Sequence, residues 1–202
     1  ITVAGNPVVS TPNGDRLEVA LADLDLLVSL DMYITETSRH ADVILPAPSP
    51  LARSHYDVVF ASLAVRNTAR WSAPVFALEP DERDEGEVLL TLAAIAAAVV
   101  NGIPEPSAAQ MDDLVAAELA RQLGLDAGLA GGLRGVERLV DLSLRGGPHD
   151  LTLADVKSAP SGIDCGPLTP RLPEVLRTPS GRIDLVPAAL RPEVQRLQEA
   201  MS

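Results

Sequence analysis

The chain is short of several things that ordinary proteins use. Cys165 is its only cysteine, so no internal disulfide and no cysteine-based metal cluster can form within it. Aromatic residues make up 2 % of the 202, too few to supply the stacking platforms of a single-stranded nucleic-acid binder. Positive charge is scarce too: the net charge of −12 argues against nucleic acid or any other polyanion as a general partner, although backbone amides and one or two arginines can still hold a single anionic ligand. Lys157 is the only lysine and lies far from Asp31, so a phosphorylatable receiver aspartate, which needs companion acids and a lysine, is disfavoured. The longest apolar run, Val88 to Val100, is broken by Thr91 and is too short to span a bilayer. His40, His55 and His149 are scattered, and neither a GxSxG elbow nor a histidine pair with metal spacing is present. No catalytic residue and no metal ligand is therefore assigned.

What remains is a soluble-type composition, 47 % hydrophobic and 22 % charged, long enough to bury a core without staples. The chain begins at Ile1 inside an apolar run, which reads as an excised piece of something longer. "ITVAG" reads as a strand and "NPVVSTPNG" as a loop. Leu17, Ala20, Leu21 and Leu24 share a helical face, "LLVSL" (26–30) reads as a strand, "TETSRHA" as a helical turn and "DVILP" (42–46) as another strand. That rhythm predicts an α/β fold, a parallel sheet with crossovers on its faces. Extended runs are expected at Tyr56 to Phe60 and Trp71 to Phe76, then a solvated acidic loop "EPDERDEGE" and a helix from Glu87 to Val100. Ser107 and Gln110 form a capping-box pattern before a helix carrying Met111, Leu114, Val115 and Leu119 and ending at Gly124. Another helix is expected near Leu133 to Leu144, a capped turn at Thr152 and Asp155, and a final turn at Pro179 and Gly181 leading into a strand through Ile183 and Leu185. The division that follows is an α/β part over residues 1–105 and a mainly helical part with a connecting segment over 106–202.

Ligands of open α/β sheets sit outside the carboxyl ends of the strands. Those ends deliver Gly5, Asn6 and Asp31. Gly5 permits close backbone approach, Asn6 offers donor and acceptor together, and Asp31 offers two acceptor oxygens that match the paired N–H donors of guanine or the two hydroxyls of a ribose. From spacing alone, capping of the turn that follows is the favoured role of Asp31. Cys165, in the Gly- and Pro-flanked "GIDCGPL", reads as a packing residue.

"GNPVVSTPN" followed by "LDLLVSLDMYITETSRHADVILPAPSP", then "RNTARWSAPVFALEP", the "EVLLTLAAI" helix and "GIDCGPLTPRLPEVLRTPSGRIDLVP", resembles a segment of the molybdopterin oxidoreductases of the dimethyl sulfoxide reductase superfamily. The resemblance implies an internal fragment of such an enzyme: a Rossmann-like part holding one molybdopterin guanine dinucleotide of a molybdenum cofactor, beside a helical insertion. It further implies that Asn6 touches the dinucleotide near its phosphates or ribose, that Asp31 and the backbone near Leu30 recognise the nucleoside end, and that Arg53 pairs with a phosphate. The pattern departs at Ala52, where the family has Glu, at His55, near which it has Gly, and at Gly86, flanked by Glu85 and Glu87 where many members have an Asp contact. Implied partners are the remaining domains of the same enzyme and an electron-transfer subunit, with an iron–sulfur cluster elsewhere in the parent and a cytoplasmic location. The fragment alone is expected to be inactive. The competing reading is a non-catalytic interaction module that keeps the fold without the ligand, favoured by the altered loop and Gly86.

Overall fold

A computed structural model describes residues 1–201, the side chains of Ala61 and Ser62 excepted. Three short strands form a parallel sheet: β1 (Thr2–Val3), β2 (Val28–Asp31) and β3 (Val43–Pro46), in that order across the sheet. The register pairs Val3 with Leu30 and Asp31 with Pro46, so all three carboxyl ends finish at one edge. Parallel strands need crossovers. The first consists of α1 (Pro7–Ser10) and α2 (Gly14–Ala22), and the second of a single 3₁₀ turn, Ser38–His40. The α/β expectation is met.

The middle strand is buried, with Leu27, Ser29 and Leu30 nearly inaccessible. Ser29 Oγ accepts from Thr2 Oγ1 at 3.0 Å, and Leu27 N, just before the strand, donates to Asp42 Oδ2 at 2.8 Å. The stretch after Asn6 is where reading from sequence failed. Pro7–Ser10 is a helical turn because Pro7 occupies a first-turn position, where its missing N–H costs nothing.

Beyond the sheet, β4 (His55–Tyr56) pairs with a later strand, and β5 (Arg66–Ala69) precedes that partner, β6 (Trp71–Ser72). The extended runs foreseen over 56–60 and 71–76 shrink to these pairs, and Phe60–Leu63 coils as a 3₁₀ turn. Four helices follow: α3 (Glu85–Asn101), α4 (Ala108–Leu123), α5 (Gly135–Arg145) and α6 (Leu153–Ser158). Helix α4 carries the foreseen capping box, and α6 carries one of its own between Thr152 and Asp155. Helix α3 starts two residues earlier than expected, inside the acidic stretch, because Asp84 Oδ1 accepts from Gly86 N at 2.8 Å and caps it. An added Cβ at 86 would lie 2.9 Å from that Oδ1 and 3.1 Å from Val136 Cγ2, so this helix start is built around a glycine.

Two apolar clusters hold the helical part. In one, Ala116 and Ala120 of α4 meet Ala130 and Leu142; in the other, Trp71, Ala69, Val140, Leu153 and Val156 pack with Tyr56, Ile163 and Cys165. Cys165 thus packs as foreseen, but on β7 (Ile163–Pro167), which pairs with β5, rather than in a loop.

The chain divides into two compact units, Ile1–Cys165 and Gly166–Ser202. The second contains a 3₁₀ turn, Ala188–Leu190, and α7 (Arg191–Met201), and none of its described residues is buried. No strand forms through Ile183 and Leu185. Both side chains are exposed, and an alternating run with nothing to pair against gains little from being extended.

Candidate functional site

The carboxyl edge of the sheet opens into a cavity of about 250 Å³, lined among others by Gly5, Asn6, Asp31, Tyr33, Arg53 and Glu85. Of the residues singled out from sequence, Gly5, Asn6, Asp31 and Arg53 therefore share one cavity. Leu30 does not line it: its side chain is fully buried, and its carbonyl accepts from Ala4 N at 2.9 Å.

Asp31 caps the turn that follows it. Its Oδ1 accepts from Met32 N at 2.8 Å and from Tyr33 N at 3.2 Å, fixing the turn that leaves the strand. Among the described residues, its Oδ2 has no hydrogen-bond partner. An aspartate held by one oxygen presents the other in a fixed place at little entropic cost.

Asn6 is more committed. Its Oδ1 accepts from Thr37 N at 3.2 Å and Thr37 Oγ1 at 2.8 Å, and its Nδ2 donates to Glu36 Oε2 at 2.6 Å. That donation holds the Glu36 carboxyl below the ordinary carboxylate range. Thr37 Oγ1 in turn accepts from Val8 N at 3.1 Å, and Thr37 is fully buried. Asn6 is thus a clamp between the first strand end and the "TETS" turn, and among the described residues its second amide hydrogen has no partner. The hydroxyls of that turn divide cleanly. Thr35 and Ser38 bond reciprocally, Ser38 N to Thr35 Oγ1 at 3.1 Å and Thr35 N to Ser38 Oγ at 2.7 Å, as a local cap; Thr37 reaches across to the first strand end instead.

Arg53 forms an ion pair with Glu85 in the first turn of α3, and both line the cavity. Sequence reasoning passed over Glu85, Glu36 and Tyr33. The first two act on residues 32 and 30 positions away in the chain, which no local pattern reports. Tyr33 carried a readable signal, an aromatic in a polar crossover, and it stands 72 % exposed at the cavity.

A larger cavity, about 460 Å³, lies among Asp84, Glu87, Asp112, Arg134 and Glu137. Several of its polar groups are already paired: Asp112 Oδ1 accepts from Gly135 N at 3.0 Å, Arg134 pairs with Asp113, and Glu137 accepts from Lys157 at 2.6 Å. It sits away from the strand ends, so size does not make it the better candidate. Among the described residues no group of three or more His, Cys, Asp or Glu is placed to hold a metal.

No family model matches the chain. Segments of it are similar to known oxidoreductases: 47 % identical over 49 residues to the assimilatory nitrate reductase catalytic subunit of Bacillus subtilis, and 52 % identical over 42 residues to the F420-dependent formate dehydrogenase subunit alpha of Methanocaldococcus jannaschii. A third, the F420-dependent formate dehydrogenase 1 subunit alpha of Methanococcus maripaludis, is 50 % identical over 44 residues. The matches cover 24 %, 21 % and 22 % of this chain but only 7 %, 6 % and 6 % of those proteins. A segment of the chain is thus shared with oxidoreductase subunits many times its length.

Proposed function

We propose that the chain is part of a molybdenum-dependent oxidoreductase, in which residues 1–105 form a Rossmann-like part that holds the nucleoside end of one molybdopterin guanine dinucleotide. Residues 106–202 are its helical insertion and connecting segment. The observation that carries this reading is the meeting of Asn6, Asp31 and Arg53 in one cavity at the carboxyl edge of the parallel sheet, with Asp31 Oδ2 left without a partner among the described residues. The similarity to a nitrate reductase and two formate dehydrogenases supports the reaction class.

The residues fit one end of such a group rather than all of it. A cavity of about 250 Å³ is below the range of roughly 300–1,000 Å³ that encloses a whole small ligand. Asp31 would accept from guanine or ribose donors, Asn6 would offer its spare amide hydrogen, and Arg53 would face a phosphate. The bound group would supply two-electron redox or oxygen-atom transfer through its metal and dithiolenes. This chain's own contribution is to orient it and shield one end, alongside the other domains of the enzyme, an electron-transfer subunit and, elsewhere in the parent, an iron–sulfur cluster. The assembled enzyme would be cytoplasmic, and the chain alone would not turn over substrate.

Titrating the chain with guanosine diphosphate while following backbone amides tests the assignment. Perturbation centred on Gly5, Asn6, Asp31 and Met32 is expected; shifts confined elsewhere would sink it. A second reading, an interaction module without cofactor, is favoured by one observation: Arg53 is already engaged by Glu85. It predicts no response from the cavity amides to any guanosine compound.

A further inference from the structure

The Arg53–Glu85 pair has its own logic. Glu85 stands in the first turn of a 17-residue helix, where unsatisfied N–H groups attract negative charge, and its carboxylate is paired with the one guanidinium that lines the cavity. A helix start and an arginine fork together are what a phosphate seeks. Here the chain supplies the anion itself. The side chains of Arg53 and Glu85 are 35 % and 18 % exposed, so the pair is partly shielded from water and from salt. With Asp31, the cavity sets two carboxylates against one guanidinium, and a diphosphate entering it meets net negative charge.

We propose that Glu85 is an electrostatic latch: it holds Arg53 in the ligand-free chain and is exchanged for a phosphoryl oxygen when a nucleoside diphosphate binds. The proposal rests on reading the cavity as a nucleotide site, and it assigns Glu85 a role opposed to binding. It follows that the phosphate end enters against a penalty which the nucleoside end, at Asp31, does not feel.

The test separates the two ends. The chain and its Glu85→Gln variant are titrated with pyrophosphate and, separately, with guanosine, by calorimetry and amide shifts. Glu85→Gln should bind pyrophosphate about twofold to fivefold more tightly, the scale of removing one partly exposed charge, with guanosine affinity unchanged. Glu85→Ala should match it, and Arg53→Gln should abolish the pyrophosphate response; circular dichroism checks that each variant is folded. Pyrophosphate binding that is equal or weaker in both Glu85 variants overturns the latch, since Glu85 would then merely position Arg53. Tighter pyrophosphate binding with no guanosine response supports the latch while removing the nucleotide reading. No response to either probe in any variant overturns both.

Discussion

Thr37 links three parts of the site through one hydroxyl, giving to Asn6 Oδ1 and taking from Val8 N while fully buried. Thr37→Val keeps the shape, strands the Val8 N–H and halves what Asn6 Oδ1 receives. A loss of about 1–3 kcal/mol is expected in urea denaturation. Asp31→Asn tests the neighbouring group differently. It preserves volume but substitutes an amide for a carboxylate, so guanosine binding should weaken about tenfold or more, while the denaturation midpoint moves little. An equal loss of both would make Asp31 a cap and nothing else. Asn6 and Asp31 drew attention in the sequence because they directly follow the runs "ITVAG" and "LLVSL". That Asn6 serves the "TETS" turn was not readable, since the partners lie 30 and 31 residues apart and only the parallel register brings them together.

Helix α3 shows what is legible in an element and where legibility ends. Its apolar run and its stop at Gly102 are written in the sequence, and Gly102 adopts the left-handed conformation that ends a helix cleanly. Its start is hidden in an acidic run that looks like solvated loop until Asp84 is recognised as the cap. Asp84→Ala should therefore destabilise the chain by about 1 kcal/mol, read from the thermal unfolding midpoint, whereas Asp81→Ala, outside the helix, should not. Strands β5 and β7 escaped notice for a different reason. β5 reads Arg-Asn-Thr-Ala, with no apolar run, and β7 contains Gly166 and ends on Pro167. Ile183 and Leu185 do alternate, and form no strand. Alternation is neither necessary for a strand nor sufficient for one.

Acid should destabilise the whole chain in a particular window. Donation from Arg121 and Gln122 holds Glu118 down at about 2, and Glu18, Glu36, Asp113 and Asp155 are also lowered, chiefly by hydrogen bonds from Arg39, Asn6, Arg138 and Thr152 respectively. Depressed carboxylates stabilise fully above their unfolded values and lose that contribution as pH falls through the folded ones. The urea midpoint should accordingly hold down to about pH 4.5 and decline toward pH 2. Because these groups are exposed, the decline should be shallower in 1 M salt. A midpoint that rises on acidification would contradict the assignment.

The pairing of β5 with β7 has a consequence for how the chain tolerates change. Arg66 and Asp164, joined by a forked pair at 2.8–3.1 Å, are 98 residues apart, and this two-stranded ribbon returns the backbone to where it left. Strand β6 and helices α3 to α6 are thus a closed excursion. Closure entropy grows only as the logarithm of loop length, so doubling such an excursion costs about 0.6 kcal/mol. Length can vary between α4 and α6 without shifting the strand ends at Asn6 and Asp31, which leaves that stretch free to diverge while the sheet edge stays fixed.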